Sequence, residues 1–346
     1  MMNDENKFQA KEGNITGRVV QVHRERYVVL TEQGEYEAEI TGNMRYTASG
    51  MEDFPAVGDW VVLTPYEESF AIIHEILPRK SLLKRTAVGR EGEVQVIASN
   101  IDTAFLVQSV DQNFNINRLE RYLTLVYEAR ILPVVLITKT DLADASRLEE
   151  IKESLSNRLH DIQVLYLSNV SGEGMESIKN LMEKGKTYCL LGSSGVGKST
   201  LVNRLSGREL METGHISNST GKGRHVTSHR ELFVLDNGAL LIDNPGMREV
   251  GITDAADGIA VTFDRIHELS EQCRYPDCTH TSEAGCAVIR AVEAGEIEEA
   301  VYENYLRMEK ERAHFEASAY EKRKKEKSFG KIMKNYKKDM KRNKDL

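Results

Sequence analysis

The chain has 346 residues, 40% of them hydrophobic and 29% charged, with a net charge of -8. At roughly 150 residues per domain this predicts two or three domains with ample material for buried cores, and it excludes a disordered chain. No apolar run approaches the ~20 residues of a membrane span, residues 1–7 are polar and unlike a signal peptide, and four cysteines are too few for a disulfide framework. The expectation is a reduced, cytoplasmic protein that makes no membrane contact.

Residues 13–80 read as five short strands, at 17–22, 26–30, 36–40, 59–63 and 71–76, divided by polar or glycine-bearing turns and without a helical period. So many strands in so short a span indicate a small barrel, for which an OB-like fold is the usual option. Trp60, the single tryptophan, reads as barrel core rather than as a platform for stacking bases. From about residue 100 strands (103–107, 133–137, 162–167, 187–191) alternate with helices (117–130, 147–160, 174–184). Repeated β-α-β units of this kind build a parallel sheet with helices on both faces. The runs 232–235 and 239–242 form a hairpin through Asn237-Gly238. Beyond about residue 255 the chain reads as helical apart from a Cys/His cluster. Residues 321–346 hold ten Lys and two Arg against two Glu and two Asp. Such a tail suits a phosphate-rich surface, or is simply a solvated terminal helix.

Gly192, Ser193, Ser194, Gly195, Val196, Gly197, Lys198 and Ser199 match G-x-x-x-x-G-K-[ST] in full, directly after an apolar strand and before an apolar-faced helix entered through Thr200. Glycines let the backbone wrap phosphates, so that successive N–H groups and the helix start point at negative charge. Lys198 neutralises the β- and γ-phosphates and Ser199 ligates Mg2+ in this reading. Asp243, at the end of a strand in Asp243-Asn244-Pro245-Gly246, holds the same ion through water, and the Gly246 N–H meets the γ-phosphate. The chain therefore binds a nucleoside triphosphate.

The base is read from Thr138-Lys139-Thr140-Asp141, at the position where GTPases carry Asn-Lys-x-Asp after a buried strand. Asp141 can accept hydrogen bonds from the N1–H and N2–H2 of guanine, a pair that adenine does not offer, and Lys139 lies along the base plane. Thr138 stands where asparagine is usual. A second base-side loop, beginning Ser168-Asn169, follows the next strand. GTP and GDP are thus the expected nucleotides. The base-reading loop precedes the phosphate loop, the reverse of the ordinary order, which a circular permutation explains because the loops can keep their places around one sheet.

Cys273, Cys278, His280 and Cys286 fall within 14 residues as Cys-x4-Cys-x-His-x5-Cys. In a reducing compartment four such ligands argue for one tetrahedral Zn2+, and with every position filled by protein the site is structural.

A small β-barrel, a permuted GTPase domain and this Cys/His spacing together resemble the RsgA/YjeQ family of ribosome-assembly GTPases. Gly223-Arg224-His225-Val226-Thr227-Ser228 is similar to that family's Gly-Arg-His-Thr-Thr-Thr switch, and Asp243-Asn244-Pro245-Gly246 to its Asp-Thr-Pro-Gly. The resemblance implies an OB-fold RNA-binding domain at 1–80, a circularly permuted P-loop GTPase domain at 81–255, and a helical zinc-binding domain with a basic tail at 256–346. It also implies a monomer that binds the small ribosomal subunit and its rRNA late in maturation and hydrolyses GTP when docked there. The residue after Asp-x-x-Gly, where a glutamine orients the attacking water in other GTPases, is Met247. His225 is the candidate to place that water, or else it contacts RNA or packs; Thr227 reaches Mg2+ and the γ-phosphate. Arg224 stabilises transition-state charge or contacts an rRNA phosphate. Two other readings stay open: an assembly scaffold in which nucleotide only regulates RNA affinity, and a kinase or ATPase built on the same phosphate loop.

Overall fold

The computed structural model describes residues 13–24, 26–87, 93–210, 230–243, 251–253 and 255–342. Near the N-terminus β1 (Ile15–Val22), β2 (Tyr27–Thr31), β3 (Gly34–Ile40), β4 (Trp60–Pro65) and β5 (Phe70–Ile76) lie in the order β1-β2-β3-β5-β4, and β1 pairs again with β4 to close a barrel. Only β3 and β5 run parallel. This is the expected OB-like barrel, and its alternating inward residues Val19, Val29, Ala38, Val61, Leu63 and Ile73 are fully buried. A short helix, α1 (Gly42–Thr47), bridges β3 and β4; Thr41 caps it by accepting from the Met44 N–H at 3.2 Å. The sequence pattern gave no sign of it, since six residues hold under two turns. Trp60 is half-buried rather than core: the Arg18 guanidinium lies 5.4 Å from its ring centroid, and both line a cleft of 830 Å³ between the barrel and the strands that follow it.

A two-stranded antiparallel hairpin, β6 (Leu82–Thr86) with β7 (Val94–Ser99), follows the barrel and was not expected. The central sheet then assembles from β8 (Thr103–Ser109), β9 (Leu132–Thr138), β10 (Gln163–Tyr166), β11 (Thr187–Leu191), β12 (Glu231–Val234) and β13 (Leu240–Asp243), in the order β10-β9-β8-β11-β13-β12. The first five strands in that order are parallel, and β12 returns antiparallel through the Asn237-Gly238 turn. Helices α2 (Ile116–Glu128) and α3 (Ala145–Arg158) cover one face with Leu119, Tyr122, Leu123 and Ile151. Helices α4 (Met175–Leu181) and α5 (Lys198–Ser206) cover the other with Met175, Ile178, Leu201 and Val202. A parallel sheet buried on both faces explains why its strands read as unbroken apolar runs.

The sheet continues into the barrel at one register pair, Gln21 with Glu231, where Gln21 Nε2 donates to Glu231 Oε1 at 2.6 Å. Beyond it, α6 (Ala256–Thr262), α7 (Asp264–Ser270), α8 (Ala287–Glu293) and the 44-residue α9 (Glu299–Arg342) pack around Ile259, Phe263, Ile266, Val288 and Met308. No helix among the described residues is long and apolar enough to cross a membrane.

Candidate nucleotide site and metal centre

All the phosphate and base loops emerge at the C-terminal ends of the parallel strands, where an open α/β sheet holds its ligands. The phosphate loop joins β11 to α5. Gly195 and Gly197 hold φ of +83° and +96°, which L side chains rarely adopt, and a Cβ on Gly192 would lie 2.6 Å from the Val107 carbonyl oxygen. Lys198 is buried and donates to the carbonyls of Gly192 at 2.8 Å and Ser193 at 2.7 Å. Burial pushes its ammonium down to about 8, against the opposing pull of Asp243. Burial likewise pushes the Asp243 carboxyl up, against Lys198, and its Oδ1 has no hydrogen-bond partner among the described residues. A buried carboxylate oxygen left open beside a phosphate loop fits a hydrated Mg2+, with the half-buried Ser199 hydroxyl beginning α5. Ser194 and Thr200 are half-buried on the same loop and first turn, and Gly195 is exposed at its tip.

The base-side loops are bonded to this loop. Thr138, fully buried at the end of β9, places Oγ1 2.6 Å from the Val196 carbonyl oxygen and 3.1 Å from that of Gln108. Asn169 Nδ2 donates to the Gly197 carbonyl at 3.1 Å. Asp141 accepts from the Ser168 hydroxyl, which itself accepts from the backbone N–H groups of Val170 and Ser171 at 3.1 Å each. Lys139 takes a left-handed φ of +60° and donates from Nζ to Asp111 at 2.8 Å. Burial raises the Asp111 carboxyl, but hydrogen bonds from Lys139, Ser109 and the Asn113 N–H outweigh it and hold it below the usual range. Thr140 Oγ1 is buried without a partner among the described residues. Sequence reasoning missed Asp111, and also Arg118, whose Nη1 donates to Ser193 Oγ at 3.0 Å. The available signal was position, since both follow β8, the strand between β9 and β11. Gly223, Arg224, His225, Val226, Thr227 and Ser228, and likewise Asn244 to Met247 with Gly246 among them, lie outside the described residues.

Cys273, Cys278, His280 and Cys286 converge, with all four donor atoms within 4.8 Å of one another. Cys273 Sγ lies 3.8 Å from Cys286 Sγ, and His280 Nδ1 lies 3.6 and 3.5 Å from the two sulfurs. A tetrahedral zinc with Zn–S of about 2.3 Å sets sulfur atoms about 3.8 Å apart, so the donor set fits that ion. The Tyr302 hydroxyl from α9 donates to the His280 carbonyl at 2.6 Å, and backbone N–H groups of Ala287 and Ile289 donate to Cys273 and Cys286 at 3.3 and 3.4 Å. These contacts orient the ligands and favour thiolate.

The RsgA GTPase family model matches residues 76–253, from the end of the barrel through the central sheet. The chain belongs to that family. Membership makes it a GTPase, with guanine nucleotide and Mg2+ as its cofactors, and its Cys3His donor set is compatible with zinc. The ABC transporter model matches residues 175–337, under half the chain, over a stretch that includes the phosphate loop. Among relatives, "Small ribosomal subunit biogenesis GTPase RsgA 1" of Bacteroides thetaiotaomicron is 42% identical over 93% of this chain and 90% of its own. "Small ribosomal subunit biogenesis GTPase RsgA 2" of Lactiplantibacillus plantarum is 41% identical over 87% and 84%. Among solved structures, YjeQ from Thermotoga maritima superposes with a TM-score of 0.63 at 28% identity, covering 85% of this chain and 97% of that one. YloQ, described as a circularly permuted GTPase, gives 0.60 at 27% identity over 87% and 96%. The permuted order read from the sequence is therefore the family's architecture, and β9, β8 and β11 are neighbours in one sheet although their loops occur in reversed chain order.

Proposed function

We propose that this GTPase acts in the cytoplasm, as a monomer, on the small ribosomal subunit late in its maturation, and that docking on rRNA stimulates hydrolysis, which in turn drives release. The near full-length likeness to relatives named for small-subunit biogenesis supports the partner. The observation that carries the coupling is α2. Its first turn reaches the phosphate loop through Arg118, and its following turns hold the C-terminal module: Glu120 accepts from Asn304 of α9 at 2.5 Å, and Arg121 donates to Glu311 at 2.5 Å. A change of nucleotide state at Ser193 is thus felt one helical turn from the module that carries the metal centre and the basic tail.

In this reading Lys198 exchanges its two loop carbonyls for the β- and γ-phosphate oxygens. Ser199, Asp243 and Thr227 would hold Mg2+, which when bound would offset negative charge on the phosphates. Asp141, fixed by Ser168, reads the N1–H and N2–H2 of guanine, and Lys139, fixed by Asp111, flanks the base. The Gly246 N–H meets the γ-phosphate, and His225 positions the attacking water in place of Met247. An enzyme without its own glutamine turns over slowly until a partner orders the switch, because positioning and electrostatics supply most of phosphoryl-transfer catalysis. GTP turnover with and without purified small subunits, with ATP as control, tests the proposal. Stimulation of about tenfold or more, confined to GTP, is expected. GTP-dependent binding to subunits without stimulation would instead establish the scaffold reading.

A further inference from the structure

Position 138 ordinarily carries asparagine, and the structure shows what its replacement has left undone. Thr138 has one hydroxyl proton, and both of its neighbours, the Val196 and Gln108 carbonyls, are acceptors. The shorter contact, 2.6 Å to Val196, takes the proton. Nothing on Thr138 is left to donate towards a nucleotide. Asn169 approaches the same turn from the other base-side loop, and its Nδ2 bonds the next carbonyl, Gly197. A Cβ on Gly197 would lie 3.0 Å from that nitrogen and 4.0 Å from Thr138 Oγ1, so the two side chains converge on one residue of the phosphate loop. Asn169 is 7% exposed, and only its amide nitrogen can face a carbonyl, which fixes the orientation of the carboxamide. Among the described residues one N–H is engaged, the second is not, and the buried Oδ1 has no partner.

We propose that Asn169 is a specificity-determining residue: it supplies the carboxamide missing at position 138, fastening the base loop to the phosphate loop and donating its second N–H to the O6 and N7 edge of guanine. This rests on the reading that Asp141 recognises the opposite, N1 and N2 edge. Ser168 holds Asp141, so two consecutive residues set both edges of the base. Guanine presents acceptors at O6 and N7, whereas adenine presents an amino group at position 6, which a donor at Asn169 rejects. The Lys139 ammonium gives one of its three N–H groups to Asp111 and is assigned to the base plane, not to this edge.

Competition binding of GDP, ADP and 7-deaza-GDP to the full chain and its variants tests the assignment. Asn169→Ala is expected to weaken GDP about tenfold, equivalent to about 1.4 kcal/mol, and to narrow the preference for GDP over ADP. Asn169→Asp, which keeps the shape and lacks the donor, is expected to be at least as poor. Adding Thr138→Asn to Asn169→Ala is expected to recover most of the loss. 7-Deaza-GDP is expected to bind wild type more weakly than GDP and to bind Asn169→Ala no worse than GDP does. GDP affinity within twofold of wild type in Asn169→Ala or Asn169→Asp overturns the proposal. So does an equal loss for GDP and ADP that Thr138→Asn fails to reverse, because that is packing without base reading. Asp141→Asn, assayed with GDP and XDP, tests the underlying reading separately: exchange of guanine for xanthine preference upholds it. If that exchange fails while Asn169→Ala still loses GDP selectively, the fault lies in the Asp141 assignment and not in Asn169.

Discussion

At the junction with the barrel one buried cation bonds only neutral acceptors; at the junction with the helical module a buried cation meets a buried carboxylate. Arg18 of β1 donates to the Thr187 hydroxyl at 2.8 Å, the Asn100 carbonyl at 3.1 Å and the Gly58 carbonyl at 3.2 Å, and burial lowers its guanidinium to about 10. Glu120 of α2 takes a two-pronged bond from Arg158, at 2.9 and 2.7 Å, and a third from Asn304 of α9, while burial raises its carboxyl against the opposing pull of Arg158. Each junction also depends on one glycine. A Cβ on Gly58 would lie 2.2 Å from the Ser99 carbonyl oxygen, and one on Gly258 would lie 2.1 Å from that of Thr124. Both contacts are close and polar, yet they should fail differently. Removing Arg18 leaves acceptors that the adjoining cleft can hydrate, whereas removing Glu120 leaves a buried guanidinium without its counter-charge.

Metal removal probes the second junction from its far side and should give the largest effect. Tyr302 and Asn304 stand two residues apart near the start of α9, one bonded to the metal loop at His280 and the other to Glu120. Structural zinc contributes folding free energy on the order of 10 kcal/mol in small domains. Chelation is therefore expected to abolish cooperative melting of the helices beyond residue 255, while GDP still protects the central sheet. Circular-dichroism melts with and without GDP measure both. A chelated protein whose melt is unchanged would show that the four donors hold no structural ion.

Glu120→Ala comes next. It leaves the Arg158 side chain, only 7% exposed, without its counter-charge and with one remaining bond, to Asn117 Oδ1 at 2.8 Å, and removes the partner of Asn304 in the same step. The expected cost is about 3–5 kcal/mol in urea denaturation, the range for breaking a buried pair from one side. Replacing Glu120 and Arg158 together by apolar residues should cost less than Glu120→Ala alone. If the double variant is the less stable of the two, the carboxylate acts through its bond to Asn304 rather than by compensating charge.

How much of this was legible follows from where the signals lie. Strands of the barrel and the sheet have periodic or continuous apolar patterns, and all of them up to β5 and from β8 onward fall within a few residues of the expected spans. The phosphate loop and the Cys/His spacing are local, so chain order alone revealed them. The junctions are different, because Arg18 meets Thr187 across 169 positions and Glu120 meets Asn304 across 184. Single polar residues at such separations carry no period. The β6–β7 hairpin escaped because the turn between its strands lies outside any Asn-Gly or Gly-Gly signal that would have marked it. Trp60 misled for a related reason: a lone tryptophan in a strand looks like core, and only the partner Arg18, brought in from β1, shows that one face of the ring is polar. In the nucleotide site the Thr138 departure looked like a weakness in isolation; its meaning depends on Asn169, thirty-one positions away, reaching the same turn.

Arg18→Met is the smallest expected effect and the most informative about coupling. The thioether chain keeps much of the packing on Trp60 and removes the charge. Of the three acceptors released, the Gly58 carbonyl keeps a bond from Asn100 Nδ2 at 2.9 Å, leaving the Thr187 hydroxyl and the Asn100 carbonyl to be hydrated from the cleft. A cost of about 1–2 kcal/mol follows, below that of Glu120→Ala. Thr187 opens β11, and β11 runs directly into the phosphate loop, so the same substitution loosens the barrel from the strand that carries the nucleotide contacts. Basal GTP turnover should stay within about twofold of wild type, since Arg18 sits at the opposite end of β11 from the phosphates. If the barrel docks on RNA as proposed, turnover in the presence of small subunits should fall about fivefold, because the barrel could then shift without moving β11. If stimulated turnover were unaffected while stability fell as expected, the barrel would be an anchor only, and the signal to the phosphate loop would run through α2 alone.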